Sequence, residues 1–318
     1  MKKIVTTFIA VALACTSLFA QDFNAAKEKY DAACAAVENS DDDNAVKLFQ
    51  AAISIAEAVN ADNEDLAAKI EELVGACKTY IPTIMLNPAK ALVNAKNYEA
   101  AINELTNVAS TAGNYGKEDI AAEAKAVIPT CYLGLGNAAL NEKDYTKAAG
   151  FFQKVTEIDP ANANAYLRLG MSYSRANDDK AVEALNKAAE LGQANAANKE
   201  LASFYLRKAN NEVKAKNWAK AYEYAANSGE LAPSANAYKI AGLAAYSAQK
   251  WDECISAYEK YIAASPNAKD LNQTIYRLAD SFDKKGDKSK ACGYYKQIVS
   301  DPNFKAYAEE RIKALGCN

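Results

Sequence analysis

Apolar residues recur at helical spacing along nearly the whole chain, and short polar turns interrupt them at regular intervals. An aromatic residue and, three positions later, a small residue follow each of four turns: Lys96-Asn97, Lys143-Asp144, Lys216-Asn217 and Gln249-Lys250. This is the spacing of a helix that begins after a tight helix–helix turn. The pattern predicts helices at 23–38, 42–60, 62–95, 98–112, 118–141, 145–158, 162–176, 179–191, 195–215, 218–231, 235–248, 251–264, 268–284, 288–299 and 303–316.

The chain also repeats itself. The segment from Ile81 to Ala101 recurs without gaps 47 residues later, from Ile128 to Ala148. Further along the period shortens, and a proline ends the second helix of four units, at Pro160, Pro233, Pro266 and Pro302. Self-similarity of this kind predicts a row of two-helix units that bury their sides against each other.

The spacing of aromatic and small residues within a unit resembles that of the tetratricopeptide repeat family. One unit supplies Tyr132, Leu135, Gly136, Ala148, Phe152 and Pro160, and the next supplies Tyr166, Leu169, Gly170, Tyr173, Ala181, Leu185 and Ala188. The resemblance extends over residues 24–302. It implies an all-α fold, a right-handed α–α superhelix of about seven helical hairpins with a C-terminal capping helix.

On this basis the chain divides into a signal peptide at 1–20, N-terminal repeats at 21–127, a regular repeat array at 128–302 and a capping helix at 303–318. The N-terminal repeats depart from the family, because helices 62–95 and 118–141 are unusually long and contain Pro82 and Pro129. Proline removes a backbone hydrogen bond and clashes with the preceding turn, so we expect a kink in each helix. A 47-residue period also fits HEAT-like repeats, and for this region both labels stay open.

The first residues have the features of an export signal. Two lysines precede an apolar run from Ile4 to Ala20, which predicts a secretory signal peptide cleaved after Ala20. An alternative is acylation of Cys15, because the residues before it loosely resemble a lipoprotein box. We therefore expect a periplasmic protein with no transmembrane segment after signal cleavage, or else an outer-membrane lipoprotein anchored through Cys15.

Composition narrows the possible chemistry. Half of the 318 residues are apolar, and only 13 are glycine and 7 proline, which favours helices. Histidine is absent, which excludes histidine-dependent triads, bases and metal ligands. The 37 basic and 40 acidic residues leave a net charge of −3, without the basic surplus typical of nucleic-acid binding. We expect neither an enzyme nor a bound cofactor or metal, and no nucleic-acid partner.

The predicted helices bring some cysteines to similar heights. Cys34 and Cys77 fall level on nearby antiparallel helices, and Cys292, at the start of its helix, falls level with Cys317 at the end of the capping helix. Disulfides form and persist in exported proteins. The sequence therefore predicts two bridges, Cys34–Cys77 and Cys292–Cys317.

In the tetratricopeptide repeat family the first helix of each unit lines a concave groove. Projecting the repeat onto this chain puts the following residues on that face: Leu86, Lys90, Asn94, Leu133, Asn137, Asn141, Leu167, Met171, Arg175, Leu206, Asn210, Lys239, Tyr246, Tyr276 and Asp280. Leucines beside amide and basic side chains can hold the apolar side chains and the backbone of a peptide. The alternative is that these leucines only pack one first helix on the next.

The resemblance implies a non-enzymatic, exported scaffold that binds another protein or peptide along the concave face. The carboxylate-clamp specialisation of the family is not supported, because Leu133 occupies the position of its lysine. Two alternatives stay open: an outer-membrane-associated subunit of envelope biogenesis, and a solenoid that binds a small ligand near Pro82 and Pro129.

Overall fold

The computed structural model describes residues 18–61 and 63–317, with side chains from residue 23 onward. Most of the predicted signal peptide, including Cys15, lies outside these residues. The chain forms two compact units, an N-terminal unit at 1–141 and a C-terminal unit at 142–318. Each is described separately below.

Within the described residues the structure has fifteen α-helices in the predicted order. They are α1 (Leu18–Glu38), α2 (Asp42–Ala58), α3 (Glu64–Asn94), α4 (Tyr98–Asn114), α5 (Glu118–Asn141), α6 (Tyr145–Ile158), α7 (Ala163–Arg175), α8 (Lys180–Ala188), α9 (Ala194–Lys214), α10 (Trp218–Leu231), α11 (Ala235–Ser247), α12 (Trp251–Ala264), α13 (Leu271–Lys284), α14 (Lys288–Ile298) and α15 (Lys305–Leu315). A π-helical segment, Ala189–Gln193, joins α8 to α9. The predicted all-α fold of consecutive hairpins followed by a capping helix is confirmed.

The turns between helices have a common backbone conformation, which explains why the sequence predicts where each helix ends and the next begins. Lys96, Lys143, Lys216 and Gln249 have φ values of 60°, 62°, 59° and 57°, which is the left-handed region. A left-handed residue after the last helical residue satisfies free carbonyl groups and reverses the chain. The residue that follows then precedes the next helix; Asp144, for example, accepts a hydrogen bond from the Lys147 N–H at 3.0 Å.

The N-terminal unit buries its side chains in two cores. The first lies among α1, α2 and α3, where the rings of Tyr30, Phe49 and Tyr80 pack at centroid distances of 5.5–6.4 Å. The second lies among α3, α4 and α5. The helix α3 continues through Pro82 and Pro88, and α5 continues through Pro129. One long helix thus contributes to both cores, which explains why it exceeds the usual repeat length.

The C-terminal unit is more regular. Each helix from α6 to α15 packs on the next helix in the chain, and buried alanines and glycines allow close approach. Gly170 lies against Leu185, and Gly242 against Tyr258, with no room for a β-carbon at either position. At the end of the unit, α15 packs on α14 and covers the last core with Ala308.

The six cysteines among the described residues form one disulfide bridge and four free thiols. Cys292 and Cys317 form a disulfide with their Cα atoms 5.7 Å apart, which joins the start of α14 to the residues after α15. The predicted Cys34–Cys77 bridge is corrected, since both residues are thiols within the first core. Tyr30 lies beside the Cys34 sulphur in this core. Burial raises the pKa of Cys34 to about 11 and that of Cys77 to about 12, so both stay protonated at neutral pH.

Candidate functional site

The first helices of consecutive hairpins in the C-terminal unit lie side by side. α7 contacts α9, and α9 contacts α11. The Tyr246 hydroxyl on α11 then reaches Asp280 on α13, and Tyr276 on α13 stacks on Phe304, next to α15. We call the predicted groove residues of these helices the first-helix face: Leu167, Met171, Arg175, Leu206, Asn210, Lys239, Tyr246, Tyr276 and Asp280.

The leucines of the first-helix face have two roles. Leu167 and Leu206 each pack against a hydrophobic core, yet both remain partly accessible. Met171 is also partly accessible, and Arg175, Asn210 and Lys239 are exposed. The face therefore combines half-buried apolar side chains with exposed polar ones.

The corresponding residues of the N-terminal unit are less accessible. Leu86 is only 5% exposed and belongs to the second core, so its assignment to a groove is corrected. The reason is that α3 packs against both α4 and α5 and encloses this side chain. The Lys90 ammonium pairs with Glu123 of α5 at 2.5 Å. Of the remaining predicted residues, Asn94 and Asn141 are exposed, whereas Leu133 and Asn137 are partly buried.

A polar group links α7 to α9 beneath the first-helix face. The buried Ser174 hydroxyl donates to Glu200 Oε1 at 2.6 Å, and Arg207 Nη2 donates to Ser174 Oγ, also at 2.6 Å. Arg207 Nη2 makes a further bond of 3.0 Å to the Ser174 carbonyl. The sequence analysis did not predict this hydrogen-bonded group, although Arg207 follows Leu206, which was predicted to lie on the face. The group holds α7 and α9, two neighbouring first helices, at a fixed spacing.

The other end of the face contains a cluster of tyrosines around one carboxylate. The Tyr246 hydroxyl donates to Asp280 Oδ2 at 2.8 Å, and the Tyr307 hydroxyl donates to Oδ1 at 3.3 Å. The Tyr276 and Tyr307 rings meet edge to face at 5.1 Å. Burial and the nearby Asp280 raise the pKa of Tyr307 to about 12. Both hydroxyls are therefore neutral donors at physiological pH.

A second carboxylate on this side is neutralised within the chain. Lys239 Nζ lies 2.6 Å from Asp270 Oδ2, and the Tyr261 hydroxyl donates to Oδ1 at 2.6 Å. Burial raises the pKa of Asp270, but the bonds from Lys239 and Tyr261 outweigh it and hold the pKa below its usual range. Lys239 is therefore engaged with Asp270, although it remains exposed.

An open groove of about 630 Å³ lies between α6, α7 and α8. Its lining mixes two lysines, Lys180 and Lys187, with two glutamates, Glu183 and Glu190. Among residues 18–61 and 63–317, no group of three or more cysteine, aspartate or glutamate side chains is arranged to hold a metal ion. None of the helices in this part of the chain combines the length and apolar character needed to cross a bilayer.

Comparison with known proteins identifies the repeats. Models of the tetratricopeptide repeat match residues 129–162, 164–191 and 273–303. No curated protein matches the chain. Similar solved structures include MamA, which is 24% identical over 57% of this chain and 96% of its own, with a TM-score of 0.37. The TPR2AB domain of yeast Sti1, in a complex with pHSP90, is 17% identical over 94% of this chain and 97% of its own, with a TM-score of 0.36.

Proposed function

Because this chain is a tetratricopeptide-repeat protein, we propose that it is a non-enzymatic scaffold that binds an extended segment of another protein on its first-helix face. One observation carries the proposal: the neighbouring helices α7, α9, α11 and α13 present half-buried apolar and aromatic side chains in succession, from Leu167 to Tyr276. Half-buried apolar groups beside exposed polar ones are typical of surfaces that bind peptides.

The dimensions of the face suit a short segment. Neighbouring helices lie about 10 Å apart, so four first helices present a surface about 30 Å long. An extended chain advances about 3.3 Å per residue, and such a surface therefore accommodates about nine residues. Apolar side chains of the bound segment would contact Leu167, Leu206 and Tyr276, and exposed amides such as Asn210 would bond its backbone.

Peptide selection tests the proposal. Random peptides of about nine residues, displayed on phage, are selected on the whole protein, and the affinities of the selected peptides are measured by fluorescence anisotropy. Asn210 is exposed on the face, so Asn210→Trp adds bulk there without disturbing the core. We expect this variant to bind the peptides about tenfold or more weakly, a loss of about 1.4 kcal/mol.

The matched control is Glu223→Trp, which places the same bulk at an exposed position on the second helix α10. It should bind the selected peptides as the wild type does. Equal binding by wild type and Asn210→Trp would contradict the proposed site. Failure to select any peptide on the wild type would contradict the proposed function itself.

Export of the scaffold is a further part of the proposal. A disulfide between Cys292 and Cys317 supports it, because such bonds persist in oxidising compartments and are rare in the cytosol. Mass spectrometry of the protein purified from its own cells, without reductant, tests this. We expect a chain that begins at Gln21 and contains one disulfide. An acylated chain beginning at Cys15 would indicate membrane attachment, and a reduced chain beginning at Met1 would contradict export.

A further inference from the structure

Asp280 is the only charged residue among the buried residues that the structure describes, and its side chain lies on the first-helix face. It is 6% exposed, and its hydrogen bonds come from the neutral hydroxyls of Tyr246 and Tyr307. Neutral donors stabilise a carboxylate but do not cancel its charge, and a buried charge is costly unless it is paired. A carboxylate also has about four acceptor sites, and here two are used.

The neighbouring carboxylates have cationic partners, whereas Asp280 has none in the part of the chain that the structure describes. Asp283, one turn along α13, accepts from Arg311 Nε at 2.8 Å, and Asp270 is paired with Lys239. Arg277, one turn before Asp280, is directed elsewhere: its Nη1 donates to the Tyr258 hydroxyl at 3.2 Å, and its guanidinium lies 5.9 Å from the Tyr246 ring centre. Within the described residues no basic side chain forms an ion pair with Asp280.

The tyrosines around Asp280 have the chemistry of a cation site. The Tyr276 and Tyr307 rings pack edge to face beside the carboxylate, and Tyr307 is 36% exposed, which makes it one of the two most exposed large apolar side chains described. The hydroxyl of Tyr295 is buried next to Tyr307 and Asp280 and makes no well-formed hydrogen bond there. A buried hydroxyl, a carboxylate without a cationic partner and the exposed ring of Tyr307 thus lie close together.

We propose that this place binds a lysine or arginine side chain of the peptide recognised by the first-helix face. The cationic group would pair with Asp280 and lie against the rings of Tyr276 and Tyr307, which attract cations through their negative faces. Charge complementarity selects this occupant, because an acidic or neutral side chain would leave Asp280 uncompensated. The inference rests on the proposed function and adds a sequence preference to it.

A double-mutant cycle tests the preference. Peptides selected on the wild type should share a lysine or arginine at one position, and replacing that residue by glutamine should weaken binding about tenfold. On the Asp280→Asn variant the same replacement in the peptide should change binding by less than about twofold, because the carboxylate that paired with the peptide's positive charge is gone. Asparagine keeps the shape of aspartate and an oxygen for the Tyr246 hydroxyl, and circular dichroism checks that the fold is retained.

Two further variants make the result specific. Glu309→Gln removes an exposed negative charge from α15, two residues from Tyr307, and should leave the tenfold preference unchanged. Tyr276→Leu keeps the carboxylate but removes an aromatic face, and should weaken binding of the basic peptide about threefold or more. If Asp280→Asn does not fold, Tyr276→Leu still tests the cation site.

The outcomes separate the two proposals. If peptides are selected and Asn210→Trp blocks them, but they share no basic residue or bind Asp280→Asn with the same preference, the assignment of Asp280 is wrong and the binding face stands. If Asn210→Trp does not block them, or no peptide is selected, both proposals fall.

Discussion

Replacing Gly242 by valine is expected to lower the free energy of unfolding of the C-terminal unit by about 3 kcal/mol. A β-carbon at this position would lie 2.5 Å from Cδ1 and 2.6 Å from Cε1 of Tyr258. The Tyr258 ring is completely buried, and its hydroxyl accepts from Arg277, so it has no free space to occupy. The helices α11 and α12 must therefore separate, which exposes apolar surface and opens gaps in the packing.

The measurement is urea unfolding followed by circular dichroism. Gly293→Val is the matched control, because Gly293 also lies in a helix, α14, but has nothing within 4 Å of its would-be β-carbon. Valine has a somewhat higher helix propensity than glycine, so the control should be as stable as the wild type or slightly more stable. If the two variants unfold at the same urea concentration, Gly242 does not set the distance between α11 and α12.

Features decided by local chemistry were predictable from the sequence. Outside α1, the predicted helix boundaries lie within three residues of those observed, because the signals that set them are adjacent in the chain. A left-handed residue such as Lys143 and a following cap such as Asp144 mark a turn regardless of what surrounds it.

Features that depend on neighbouring helices were not predictable in this way. The repeat places Leu86 on the groove side, but its burial depends on how α3 meets α4 and α5. Asp280 was assigned to the face, yet nothing in the sequence indicated that Arg277 would be directed toward Tyr258 and leave the carboxylate without a cation. The same holds for Cys34, which is a thiol in the first core rather than bonded to Cys77. Side-chain partners depend on packing distances that a repeat pattern does not specify.

The capping helix links stability to the proposed cation site. α15 contributes Tyr307 to the surroundings of Asp280, and Arg311 pairs with Asp283 on α13. Among the described residues it packs on α14, on side chains of α13 and on the last core. Terminal helices of repeat proteins unfold locally more easily than central ones. The Cys292–Cys317 disulfide restrains this helix, because it ties the chain after α15 to the start of α14.

The double variant Cys292→Ala and Cys317→Ala is therefore expected to destabilise α15 by about 3 kcal/mol, the effect of opening a loop of 25 residues. Hydrogen exchange should show about a hundredfold loss of protection for the amides of α15, while α7 to α10 keep theirs. Reduction of the wild type should reproduce the loss, and reductant should have no effect on the variant. Unchanged protection of α15 would mean that its packing on α13 and α14 holds the helix without the disulfide. If protection is lost, binding of basic peptides should weaken with it, because Tyr307 then no longer borders Asp280.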